Sequence, residues 1–165
     1  MINPSELELQ EEVVVRINRV SKVTSRGKRL RFSALVVIGD GKGYVGMGMG
    51  KANEVIAAIS KSKENAKQNL FKAPLINGTI PHKIIGRHGA SRVMLKPASP
   101  GTGIIAGAAV RAVMEQMGVE NILTKITGSN NHLNVVRATI NALQNLQDAV
   151  SVAAKRGISL KEVYG

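Results

Sequence analysis

The sequence has no cysteine and no tryptophan, and its only aromatic residues are Phe32, Tyr44, Phe71 and Tyr164. Without cysteine there is no disulfide, no thiolate metal site and no thiol nucleophile, and the absence fits a reducing compartment. With so few rings, the core must be aliphatic, and a 44% hydrophobic content is enough to build one. Long apolar runs are missing as well. The longest, residues 104–110, is far short of the ~20 residues that span a bilayer. The opening stretch MINPSELELQEE has no apolar segment, and no base precedes Arg16. Neither a secretory signal nor an Arg-rich transit peptide is expected, which points to a soluble, intracellular protein with no membrane partner.

Acid is the most informative scarcity. Lys and Arg number 23 against 11 acids, for a net charge of +12 and a pI near 10.4. The imbalance is uneven. Residues 1–12 carry four acids and no base, residues 13–72 carry thirteen bases and three acids, and residues 73–165 carry ten bases and four acids. From residue 13 to residue 39 there is no acid at all. Such an excess adds nothing to folding but raises affinity for a polyanion, with strong salt dependence. An anionic membrane is a poorer match, because no basic amphipathic helix with an apolar Trp, Phe and Leu face is present.

The patterning predicts an α+β protein of two small domains. Val13, Val15 and Ile17 alternate, as do Phe32, Ala34, Val36 and Ile38, which reads as two antiparallel strands joined by a long basic loop over residues 21–29. GDGKG is a turn, and residues 44–49 form a third strand. Ala52, Val55, Ile56, Ile59, Ala66 and Leu70 make one helical stripe over residues 53–71, with Asn53 as N-cap. This first unit, residues 10–73, is followed by a Pro- and Asn-Gly-containing linker. The second, residues 74–165, is expected to hold a hairpin (80–87 with 91–96), a helix (104–117), a strand (122–127) and a helix (134–146). A capping box, Ser159 with Glu162, opens a final helical turn.

GDGKGYVGMGMGK, residues 39–51, holds six glycines, and Gly41, Gly43 and Gly46 satisfy G-x-G-x-x-G. A dinucleotide fingerprint needs those glycines between a strand and a helix, with an acid at a strand end some 20 residues on. Here they lie between two strands, and Glu64 falls on a helix. A phosphate-cradling P-loop fails too, since Lys51 is followed by Ala52 rather than Ser or Thr. Alternation offers another account. Val45, Met47 and Met49 share one face, open to the helix. Gly46, Gly48 and Gly50 leave the other almost bare, so that another backbone can approach. RNA, a neighbouring chain segment or simple crowding could each occupy it. Lys51, where this strand meets the helix N-terminus, is a candidate phosphate ligand.

Several stretches go further. NRVSK, FSALVVIGDGKGYVGMGMGKANEV, PASPGTGIIAG, NVVRATINAL and VAAKRG resemble, in order and over nearly the full length, the bacterial small-subunit ribosomal protein five family. The resemblance implies an N-terminal fold like the double-stranded-RNA-binding domain, with a three-stranded sheet and one helix, and a mixed β/α C-terminal domain. It implies no enzymatic activity, no cofactor and no small-molecule substrate. It implies a place in the cytoplasmic small ribosomal subunit, bound to ribosomal RNA. There the chain would steady the head relative to the body, influence decoding accuracy, contact proteins four and eight, and lie near messenger RNA where it enters.

The RNA-binding candidates are the bases of the first hairpin, Arg16, Arg19, Lys22, Arg26, Lys28, Arg29 and Arg31, together with Ser21, Gly46, Gly48, Gly50 and Lys51. Phosphate contacts position a protein without reading sequence, which suits folded ribosomal RNA. In the family this loop reaches the head–body junction near the spectinomycin site. Ser21 and Lys22 match that motif, and the loop here is one residue longer than the family pattern. PASPGTGIIAGAAVR also resembles the phosphate loop of small-molecule kinases, but Ile104 and Ile105 replace the serines that would serve phosphate. Gly103 and Gly107, with Ala106 and Ala108, are instead expected to form a small-residue helix face. With Arg111, that region lies towards protein four in the family. His82, His88 and His132 have no ligand spacing, and no acid–base pair can be assigned. The competing classes are a nucleotide-using enzyme, betrayed by ATP binding, and a free-standing RNA-binding regulator, betrayed by absence from washed subunits.

Overall fold

The computed structural model describes residues 7–164; Glu6, the first of the four N-terminal acids, lies outside the described residues. Two sheets organise the fold. The first is antiparallel with order β1-β2-β3-β4: β1 (Val13–Thr24), β2 (Gly27–Gly39), β3 (Tyr44–Ala52) and the two-residue β4 (Phe71–Lys72). Helix α1 (Val55–Gln68) covers one face of it. The second sheet has order β5-β6-β8-β7: β5 (Ile84–His88), β6 (Ser91–Pro97), β8 (Ile122–Gly128) and β7 (Ile104–Ile105), the last pairing in parallel with β8. Helices α2 (Ala108–Met117) and α3 (His132–Gln144) belong to this half. α4 (Ala149–Arg156) and α5 (Leu160–Tyr164) end the chain.

The glycine face of β3 receives α1. Gly46, Gly48 and Gly50 are buried, and a Cβ on each would collide with the helix backbone, at Ala66, Ser62 and Ala58 respectively. The Ser62 hydroxyl bridges the layers by donating to the carbonyls of Ala34 (2.9 Å) and Ala58 (2.7 Å). The helix therefore lies on the side opposite to the one expected. Val45, Met47 and Met49 face away from it, and Val45 and Met47 join Leu35 and Val37 in a core shared with the second half. Gly46, Gly48 and Gly50 thus leave the RNA-binding set: a polynucleotide cannot reach a face already filled by peptide backbone.

α2 is the centre of that shared core. Seven of its ten residues are buried, Val110, Val113, Met114 and Met117 completely. A helix buried on all but the strip of Ala108, Arg111 and Glu115 fits between two layers. On one side α2 meets the first sheet; on the other it joins α3 above Val93, Leu95 and Ile122 of the second sheet. At ~25 cal/mol per Å² of apolar surface removed from water, such a core is the principal stabilising term.

The glycine-rich turn is occupied by protein as well. The amides of Gly41 and Gly43 donate to the carbonyls of Gln116 (3.0 Å) and Met117 (2.9 Å) at the C-terminus of α2. Asp40 holds the turn in shape, its Oδ1 accepting from the amides of Lys42 (2.7 Å) and Tyr44 (2.9 Å). α2 ends on Gly118 at φ +81°, whose Cα abuts the Gly41 carbonyl closely enough to exclude any side chain. A loop resembling a phosphate cradle is a latch between the two halves.

Three further boundaries differ from the sequence reading. The N-cap of α1 is Glu54, which makes no side-chain cap bond, rather than Asn53. The helix expected from residue 104 starts at Ala108, because β-branched Ile104 and Ile105 pair with β8. Gly103, Ala106 and Gly107 therefore precede the helix instead of forming a face on it. α4, capped by Asp148 through the Ser151 amide (2.7 Å), has no counterpart in the pattern read from sequence. The Ser159–Glu162 box is present at 2.8 Å.

Candidate nucleic-acid interface

The stretch expected as a basic loop is a β-ladder. β1 and β2 pair continuously from Arg16–Leu35 to Thr24–Gly27, closing on the two-residue turn Ser25–Arg26, after which Gly27 takes φ +116°. The Thr24 hydroxyl donates to the Gly27 carbonyl at 2.9 Å. β3 accompanies the pair only as far as Phe32. The last five residue pairs, Val20–Arg31 to Thr24–Gly27, stand alone as a two-stranded arm of ~17 Å. Apart from half-buried Thr24, every residue of the arm is exposed. A pattern search misses such a strand because no face of it is buried, so no apolar alternation is required.

The ladder register sorts the bases, since directly opposed residues share a face. Leu35, Met49 and Arg16 are in one row; Asn18, Ser33 and Lys51 in the next; then Val20 with Arg31, and Lys22 with Arg29. Arg16, Lys22, Arg29, Arg31 and Lys51 therefore share the face that continues towards the second half of the molecule. Lys22, Arg29, Arg31 and Lys51 line one shallow depression. Arg16 lines a second, with Asn18, Ser33 and Met49 on one wall and Asn131, His132 and Leu133 at the start of α3 on the other. Arg19 and Lys28 occupy the opposite face among Ile17, Ser21, Val23 and Leu30, and Arg26 is in the turn. Lys51 faces away from α1, so its companions are the arm bases and not the amides of the α1 N-terminus.

Among the described residues no carboxylate neutralises this face. Among the described residues the ion pairs are Lys42–Glu8 (3.7 Å), Lys63–Glu12 (2.6 Å) and Arg111–Glu115 (3.8 Å), none of them on the arm. Five uncompensated cations on one face of the ladder form an electrostatic platform for a polyanion. His132, which sequence reading set aside, lies at its inner end; only the fold brings α3 beside β1.

The second candidate region is around α2. The Gly103 amide donates to Asn121 Oδ1 (3.0 Å), Gly107 caps the helix, and Arg111 donates to the Ile104 carbonyl at 2.8 Å while pairing with Glu115. Ile105, Gly107, Ala108 and Arg111 are exposed side by side in sequence. The region offers small residues and one half-committed cation, and no catalytic group. Among the described residues no group of His, Asp or Glu is placed to hold a metal ion, and no helix is long and apolar enough to cross a membrane.

Comparison with known proteins finds relatives over nearly the whole chain. A family model described as "Ribosomal protein S5, N-terminal domain" matches residues 9–74, and one described as "Ribosomal protein S5, C-terminal domain" matches residues 86–156. A protein named "Small ribosomal subunit protein uS5" from Thermotoga neapolitana is 55% identical over 93% of this chain and 86% of its own length. Proteins of the same name from Syntrophobacter fumaroxidans and Chloroflexus aurantiacus are 53% and 51% identical, each over 98% of this chain and over 97% and 90% of their own lengths.

Proposed function

The chain belongs to the ribosomal protein S5 family, and from that premise we propose that its basic arm fastens small-subunit ribosomal RNA while its body holds that arm at a set angle. It is a structural protein of the small ribosomal subunit, not an enzyme. The observation that carries the finer reading is the shared face of Arg16, Lys22, Arg29, Arg31 and Lys51, free of acid and presented on a protruding ladder. Such a face grips phosphates by position and charge, indifferent to base sequence. Ser21, Arg19, Arg26 and Lys28 supply contacts on the remaining sides of the arm.

The division near residue 74 separates the arm-bearing sheet from the half that meets other proteins. The latch at Gly41 and Gly43, with the core around α2, makes the two halves turn together. An RNA element held by the arm is thereby tied to whatever the second half touches. This supports a role in steadying head against body and, through it, decoding accuracy and messenger RNA at its point of entrance. Gly103, Gly107 and Arg111 are the proposed contact with neighbouring protein four, and the second half also meets protein eight. Reconstitution of small subunits with a chain carrying Arg16→Ala, Lys22→Ala, Arg29→Ala and Arg31→Ala tests the reading. Poor incorporation, or incorporation with raised misreading, supports it; full incorporation with unchanged accuracy refutes it.

A further inference from the structure

Among the described residues, the second sheet has one face that no other element covers. Val93, Leu95, Ile122 and Ile126 turn towards α2 and α3, and Gly86 lies so close to Ala138 of α3 that no side chain fits there. Alternation therefore directs Ile85 and Arg87 of β5, Arg92, Met94 and Lys96 of β6, and Leu123, Lys125 and Thr127 of β8 to the other side. Arg87, Arg92, Lys96 and Lys125 are exposed there, and Ile85 and Ile105 are half exposed, at 50% and 51%. The register places Arg87 beside Arg92 and Thr127, Ile85 beside Met94 and Lys125, and Lys96 beside Leu123 and Ile105.

The charge on this face has one sign. The acids of the second half are elsewhere: Glu115 pairs with Arg111, Glu120 lies against Gly78, Asp148 caps α4 and Glu162 closes the Ser159 box. None of the four sheet bases is in an ion pair among the described residues. A protein partner would have to bring matching acids to an apolar diagonal, whereas RNA brings a phosphate at every residue. We infer that this open face is a second RNA-binding surface, separate from the arm, gripping a polynucleotide backbone with Arg87, Arg92, Lys96 and Lys125 while Ile85, Met94 and Leu123 pack against sugars. The inference rests on the reading of the chain as a ribosomal-RNA binder. Double-stranded and irregular RNA offers such a surface through its backbone and 2′-hydroxyls without any need for aromatic stacking.

The test compares two variants of the full chain binding purified small-subunit ribosomal RNA over a salt series: Arg92→Ala/Lys96→Ala/Lys125→Ala, and the arm variant described above. Loss of three phosphate contacts lowers the slope of log K against log salt by ~2, and affinity near 0.15 M salt by at least about tenfold. Hydroxyl-radical footprints should then lose protection at nucleotides different from those lost with the arm variant. Arg92→Lys/Lys96→Arg/Lys125→Arg keeps the charge and should bind as the unaltered chain does, which separates charge loss from misfolding. An unchanged slope and footprint in the sheet variant, with loss in the arm variant, overturns this inference and leaves the arm reading intact. Loss in neither variant overturns the arm reading too. Normal RNA binding combined with failure to enter reconstituted subunits marks a protein-docking face, which also overturns it.

Discussion

The amide of Gly41 donates to the carbonyl of Gln116 at 3.0 Å, and one residue after α2 the Cα of Gly118 rests against the carbonyl of Gly41. Two backbones meet there with no side chain between them, one from the turn of the first sheet and one from the end of the central helix. This contact, with the core around α2, ties the first sheet to the second half. Gly118→Ala would add a Cβ where the Gly41 carbonyl is, at a φ of +81° that disfavours any side chain. Thermal or denaturant unfolding should show a loss of ~2–4 kcal/mol, combining overpacking with backbone strain. Stability within ~0.5 kcal/mol of the unaltered chain would contradict the latch.

Asp40 gives a second handle on the same contact. Asp40→Ala releases the amides of Lys42 and Tyr44 in a mostly buried turn. Two unsatisfied donors cost ~1–3 kcal/mol. Unfolding curves should shift accordingly, and amide exchange at Gly41 and Gly43 should quicken before exchange in the core strands does.

Gly48→Val separates the two accounts of the glycine row. Because the Ser62 carbonyl and the Ala66 backbone occupy the space a side chain would need, the substitution should prevent stable docking of α1. Circular dichroism and thermal melting should register the loss at the level of the fold. A well-folded Gly48→Val chain with weakened RNA binding would restore the reading of that face as an RNA surface.

Much of the architecture was legible in the sequence where one face of an element is buried. Val135 to Leu146 carry their burial in their spacing, whereas Ser33 to Ile38 are buried on both faces and read as strand from their apolar, β-branched run. Period-2 alternation tells which residues share a face and is silent on what covers it. Hence alternation assigns Val45, Met47 and Met49 to α1, although Val45 and Met47 pack in the shared core and Met49 lines the depression beside the start of α3. The arm is illegible as strand because residues 20–31, Thr24 apart, are exposed on both sides, and the sorting of five bases onto one face appears only with the register. The bases themselves were plain from composition. Lys51 was recognised for a helix N-terminus it does not face, and His132 joins the site only through the packing of α3 beside β1.

The pH dependence of stability has an identifiable contributor. The Lys63 ammonium donates to Glu12 at 2.6 Å and, with the Glu12 backbone, holds its carboxyl below the usual 4.5. A carboxyl depressed in the folded state stabilises above its unfolded pKa and loses that contribution as pH falls through the folded value. Stability should therefore be flat in this component above about pH 5 and decline below ~4.5. Glu12→Gln should be less stable at pH 7 by ~1 kcal/mol or less, the scale of a partly exposed ion pair. It should also show a shallower decline of melting temperature in acid. Parallel curves for the two chains between pH 3 and 6 would show that the pair contributes nothing.

The account turns on the cationic face of the arm, and its most direct test is the salt dependence of ribosomal-RNA binding. With Arg16, Lys22, Arg29 and Arg31 replaced by alanine, the slope of log K against log salt should fall by ~3, at about 0.7–0.9 per phosphate released. Arg19→Ala/Lys28→Ala, on the other face of the same ladder, should lower it by less than half as much. Equal slopes for the unaltered chain and the four-residue variant would contradict the claim that this face holds the RNA.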